Sequence, residues 1–196
     1  MGANYLKTAV RSLRKNRGFT AINVVGLAVS LAVSLLALLF VWQQWQVDRF
    51  HSDPDRIRRV TTMHEGTRYA TSPRPLRAAL REQASGVAAV ATADHDETFL
   101  TREETSLSVD AIATEPGFWR VFDGFRLQSG TQGEALARPQ TAIVSAETAR
   151  RLFGADDPMG RSFRLQGETE YTVTGVLAPP TGPTHVGVDV YLSTGG

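Results

Sequence analysis

The chain has 196 residues, 42% of them hydrophobic and 21% charged, which suits one globular domain with an appendage and excludes disorder along its whole length. The net charge of +1 hides a division: residues 1–18 hold Lys7, Arg11, Arg14, Lys15 and Arg17 and no acid, leaving 16 basic against 20 acidic residues, or −4, in the rest. That asymmetry excludes a uniformly basic nucleic-acid binder, and the absence of cysteine excludes disulfides, thiolate zinc sites and a cysteine nucleophile.

The first segment, 1–18, reads as a cytoplasmic leader. Tyr5, Leu6, Ala9, Val10 and Leu13 recur at helical spacing, with Lys7, Arg11, Arg14 and Lys15 elsewhere around the wheel. This pattern predicts a basic amphipathic helix lying on the inner surface of a lipid bilayer, with Arg17-Gly18 as a turn into the next segment.

From Gly18 to Val47 no residue is charged, a run of 30. A helix crosses the hydrocarbon core in about 20 residues, so the run predicts a transmembrane helix over 19–45. The thirteen Leu, Ile, Val and Phe residues from Ile22 to Val41 favour insertion by about 4–8 kcal/mol. The run is too long for the apolar part of a cleaved signal, and VWQQWQV offers no cleavage site. Trp42 and Trp45 fall where amphipathic rings prefer the interface, and the basic leader places the N-terminus in the cytoplasm. Asn23, Gly26, Ser30, Ser34 and Ala37 share one helix face, the small-residue face through which the span is expected to pack on other transmembrane helices.

Beyond residue 46 an extracytoplasmic α+β domain is expected. A charged joint, DRFHSDPDRIRRV, leads into a strand carrying Ile57, Val60 and Met63. Ser72-Pro73 signals a helix with Leu76, Ala79 and Leu80 on its apolar face. VAAVATA after Gly86, then FLTRE and LSVDAIAT, read as strands; PGFWRVF reads as a short helix with Phe118, Trp119 and Phe122 partly buried. TAIVS is a strand, and Ser145 caps a helix whose apolar residues Ala149, Leu152 and Phe153 precede the stop at Gly154. RSFRLQ and YTVTGVLA are strands about a turn at Gly167. The closing PPTGPTHVGVDVYLSTGG reads as turns and as an interrupted chain, so the domain over 46–196 is expected to be incomplete.

Catalytic signatures are lacking. No phosphate-binding loop occurs, and His51, His64, His95 and His185 have no ligand spacing. ADHDETF around His95 looks like a hard-cation cluster on paper, but neighbours in an extended segment point apart, and a solvated acidic loop is expected. Ser145 has no G-x-S-x-G around it and reads as a cap. Glu103-Glu104 and Asp156-Asp157 are mere sequence neighbours. No catalytic, cofactor-binding or metal-binding residue is assigned, and no cofactor is expected.

NYLKTAVRSLRKNRGFTAINVVGLAVSL, DRFH at 48–51, DRIRRV at 55–60, TAIVSAETARRLFGADDPMGRSF at 141–163, and YTVTGV at 171–176 followed by THVGVDVYLS together carry a resemblance. In their order and spacing the chain resembles the N-terminal part of FtsX-like ABC-transporter permeases with a MacB-like periplasmic core domain. The resemblance implies a non-enzymatic subunit in the bacterial inner membrane, working with a separate cytoplasmic ABC ATPase and with other transmembrane helices or a second permease copy. Its role would be export, lipoprotein release or mechanotransmission. The alternative is a single-pass anchored binding or sensor module; a membrane-tethered hydrolase has no named residue behind it.

Overall fold

The computed structural model describes residues 11, 13–73 and 75–194. The chain forms two compact units, Met1–Val47 and Asp48–Gly196. In the first, Arg11, Leu13, Arg14 and Lys15 are helical, and Lys7 lies outside the described residues, as do Tyr5, Leu6, Ala9 and Val10. The turn expected at Arg17-Gly18 falls instead at Asn16, because the Thr20 amide already bonds the Asn16 carbonyl at 3.0 Å and draws Arg17 and Gly18 into the helix. Helix α1, Arg17–Trp45, runs for 29 residues without a buried one. At about 1.5 Å per residue it is roughly 43 Å long, and it is long and apolar enough to cross a membrane.

The second unit is built on a seven-stranded sheet. After the hairpin β1 (Thr62–His64) and β2 (Thr67–Tyr69) and helix α2 (Leu76–Gln83) come β3 (Asp94–Arg102), β4 (Thr105–Thr114), α3 (Phe118–Val121) and β5 (Leu127–Ser129). Then follow β6 (Thr141–Ser145), α4 (Ala146–Phe153), β7 (Ser162–Leu165), β8 (Thr169–Leu177) and β9 (Val190–Ser193). The sheet order is β5-β8-β6-β9-β4-β3-β7, and β7 also pairs with β8. Six strands therefore close into a ring, with β5 attached outside it. The seam between β3 and β7 is short, joining Leu100 to Leu165 and Thr101 to Arg164.

Two apolar clusters lie on opposite faces of the central strands. Ala142, Val144, Val190 and Leu192 pack with Leu152, Phe153 and Phe163, while Ile143 and Tyr191 pack with Phe118, Trp119 and Phe125. Strands β6 and β9 are thus buried on both faces, so they show no polar alternation. Helix α4 begins where Ser145 Oγ accepts the Thr148 amide at 3.0 Å and ends at Gly154, whose φ of 67° suits a residue without Cβ. Phe153 is 4% exposed, and the Arg102 guanidinium lies over its ring at 4.9 Å.

Several local expectations need correction. VYLS, read within a turn-rich tail, is β9, parallel to β4 and antiparallel to β6. VAAVATA is no strand: both sides of β4 are taken by β3 and β9, and the segment is tied instead by the Thr114 hydroxyl donating to the Thr92 carbonyl. DHDE, at 94–97, is not a loop but the start of β3, paired with β4 from Asp94↔Ala113 onward; its charged side chains stay exposed, so pairing costs no desolvation. The strand expected from Ile57 starts only at Thr62, and Ser72 does not cap α2, because its hydroxyl donates to the Val60 carbonyl at 3.2 Å. Phe118 and Trp119 are fully rather than partly buried.

Candidate functional site

The described residues offer no catalytic constellation, and among them no group of three or more metal-binding side chains is placed to hold an ion. What they offer is a built root, where the chain enters the second unit. Residues Asp48–Ser52 lie against two loops, one before β5 and one before β9.

The Asp48 amide donates to the Pro183 carbonyl at 2.9 Å, and its carboxylate accepts the His185 amide at 3.2 Å. The second carboxylate oxygen lies 3.1 Å from His185 Nδ1. Burial acts to raise the Asp48 carboxyl, but hydrogen bonds from Thr184 and His185 outweigh it and hold the pKa below the ordinary 3.8. Tyr191 fastens the same loop from below, its hydroxyl donating to the Val186 carbonyl at 2.7 Å, and burial pushes that phenol well above its usual 10.

On the other side the Ser52 amide donates to Asp123 Oδ1 at 3.0 Å, which lowers the Asp123 carboxyl. His51 is 4% exposed, and its Nδ1 accepts the Gly124 amide at 3.0 Å. That bond fixes the neutral tautomer with the proton on Nε2, an atom buried without a partner among the described residues. Burial lowers the His51 pKa below 6.5, against the opposing charges of Asp48 and Asp123. The Phe50 ring meets Phe125 edge-on at 5.3 Å, and His51 stands edge-on to Phe122 and Phe125. Gly124 has no room for a side chain: a Cβ there would lie 2.6 Å from the Phe50 carbonyl oxygen and 2.9 Å from His51 Nδ1.

None of these contacts follows from the sequence, where DRFH opens a charged joint and contributes to the family resemblance. The partners of Asp48 and His51 lie 137 and 73 positions away. The local signal was an aromatic and a histidine inside a charged run, which argues for a docked segment rather than a solvated linker. The residues of the small-residue helix face, the basic leader and the acidic pairs lie elsewhere. Asn23, Gly26, Ser30, Ser34 and Ala37 are all on α1 and exposed. The Ser30 and Ser34 hydroxyls donate back to the Gly26 and Ser30 carbonyls, each at 2.9 Å, so their protons are satisfied within the helix. Arg11, Arg14, Lys15 and Arg17 are exposed, and Arg17 Nε donates to the Arg14 carbonyl at 3.1 Å. Asp156 pairs with Arg161 and Asp157 accepts the Met159 amide, so both acids build a turn.

The family model for the MacB-like periplasmic core domain matches residues 20–195. The chain belongs to this family. The MacB-like assignment bears out the resemblance read from the sequence. A permease-protein domain from Porphyromonas gingivalis, provisionally so named, matches with 24% identity and a TM-score of 0.51, over 60% of this chain and 55% of that one. The extracellular domain of the noncanonic ABC-type transporter YknZ from Gram-positive bacteria matches with 21% identity and a TM-score of 0.46, over 57% of each chain. The periplasmic region of MacB from Actinobacillus actinomycetemcomitans matches with 14% identity and a TM-score of 0.48, over 72% of this chain and 60% of that one. The MacB-like chain thus spans little more than half the length of these solved relatives. No curated protein matches it significantly.

Proposed function

We propose that the chain acts in the permease subunit of an ABC-type transporter, where it couples a separate cytoplasmic ATPase to the periplasmic core domain for export, lipoprotein release or mechanotransmission. The observation that carries this reading is the root. Only Gln46 and Val47 separate the end of α1 from Asp48, whose backbone and side chain are both fixed to the domain. A displacement of the span then has little slack chain to absorb it. A subunit without a nucleotide site responds to ATP only through differential contacts with one that has it. On this reading α1 spans the bacterial inner membrane with the basic leader inside. Lys7, Arg11, Arg14, Lys15 and Arg17 meet anionic headgroups or the ATPase. The face of Asn23, Gly26, Ser30, Ser34 and Ala37 packs on other spans or on a second permease copy.

The test is reconstitution of the full permease with a candidate ABC ATPase from the same organism, with and without residues 1–17. ATP turnover should need both proteins and should lose its coupling when the leader is removed. Hydrolysis by the permease alone would overturn the division of labour.

A further inference from the structure

Charge in the second unit is segregated along the chain. Residues 56–81 hold seven arginines against one acid, Glu65, a net +6, whereas 82–196 hold eight basic and sixteen acidic residues, a net −8. The arginine-rich stretch is also the part without a core: no described residue from Ser52 to Glu97 is buried.

The β1–β2 hairpin turns at Glu65 and Gly66, with φ of 49° and 79°, and sets Met63 opposite Arg68. Its base is closed by the Ser72 hydroxyl on the Val60 carbonyl and by Arg59 on the Ala70 carbonyl, both at 3.2 Å. Both faces are open: Met63 is 67% exposed, Tyr69 47% and Val60 46%. A two-stranded sheet with both faces in water is marginal, and this one leaves three large apolar side chains uncovered among arginines. Of those arginines, Arg77 is paired with Glu115, whereas Arg58, Arg59 and Arg68 have no acidic partner among the described residues.

The same stretch is tethered close to lipid if α1 spans a membrane. Arg56 follows the last residue of α1, Trp45, by eleven residues, at most about 40 Å of chain, and part of that is taken up in the turn Pro54–Arg56. We propose that residues 56–81 form a membrane-surface arm, which docks the β1–β2 hairpin onto anionic phospholipid headgroups of the leaflet facing the core domain. Arg58, Arg59 and Arg68 meet the phosphates, and Met63 and Tyr69 rest at the headgroup boundary, where rings and flexible apolar chains with cationic neighbours are accommodated. The acidic remainder is repelled by the same surface, so the charge division orients the domain. The occupant is a lipid surface rather than an acidic protein because, on the reading that α1 spans a membrane, at most about 40 Å of chain separates the arm from headgroups.

The native chain has no cysteine, so Met63→Cys carries a single environment-sensitive fluorophore. Thr105→Cys, exposed at the start of β4, gives the control position. The full chain is placed in nanodiscs of phosphatidylcholine alone, or of an equimolar mixture with phosphatidylglycerol, each with a headgroup-attached quencher. The label at 63 should be quenched severalfold more in the anionic discs, the label at 105 should not, and high salt should remove the difference. Adding Arg58→Gln, Arg59→Gln and Arg68→Gln should abolish the effect with the thermal melt unchanged, and the same three changes to Lys should keep it. Equal quenching in both discs overturns the proposal. So does shielding of the label by polyglutamate in neutral discs with no response to phosphatidylglycerol, which would assign the surface to an acidic protein.

Discussion

The β-ring and the stretch before it, residues 52–93, belong to one unit and contrast in how they are held. In the ring, β6 and β9 bury side chains on both faces, and every residue of Val190–Ser193 is buried. In 52–93 no described residue is buried, and shape comes from turns and from side-chain bonds to backbone such as Ser72 to Val60. The ring is specified by apolar packing, whereas the earlier stretch depends on local bonds and on whatever surface it meets. Substitutions in the first should therefore appear as lost stability, and substitutions in the second as lost contact.

The sharpest way to break that contrast is Phe153→Ala. Removing a ring that is 4% exposed should cost about 3–5 kcal/mol, read as a lower midpoint in thermal melts of the solubilised full chain. An unchanged melt would reject the packing of α4 on the sheet. Gly124→Ala comes next. The added methyl must displace Phe50 and His51 from the root, at about 1–3 kcal/mol by overpacking, and should increase proteolysis near residue 50.

Acid should act through the root as well. His51 has a folded pKa below its ordinary 6.5, so the unfolded chain binds the extra proton first. Its contribution is complete above about pH 6.5 and falls as pH drops from there through the folded value, by at most about 1.4 kcal/mol per pH unit. The depressed carboxyls of Asp48 and Asp123 add a second loss only as pH falls through and below 3.8. Denaturant midpoints from pH 8 to pH 3 check both, and His51→Gln should flatten the upper window. The smallest effect is expected at Arg68→Gln, within about 0.5 kcal/mol, because the side chain is exposed and holds no ion pair among the described residues.

The legible parts of the fold were those whose signals are local. Ser145 as a cap, the spacing of Ala149, Leu152 and Phe153, and Gly154 as a stop give α4 without knowledge of the rest. The apolar α1 run is legible for the same reason. Strand β9 was hidden because it is four residues long, buried on both faces, and flanked by glycine and proline that resemble a tail. VAAVATA misled in the opposite direction, since an apolar run becomes a strand only where a sheet edge is free. Ring closure depends on two residue pairs between β3 and β7, which no periodicity announces. The root is not legible because the bonds that hold Asp48, His51 and Ser52 join distant parts of the chain.

On the proposed function, movement of α1 reaches the core domain through Asp48–Ser52. Hydrogen exchange on the full permease with its ATPase, with and without a non-hydrolysable nucleotide, tests it most directly. Nucleotide-dependent changes in protection are expected at Asp48–Ser52, at residues 122–125 and at 183–186, with their loss in Asp48→Ala and the melt of the β-ring retained. Nucleotide-dependent changes elsewhere in the permease, with protection at these three segments identical in both states, would contradict it.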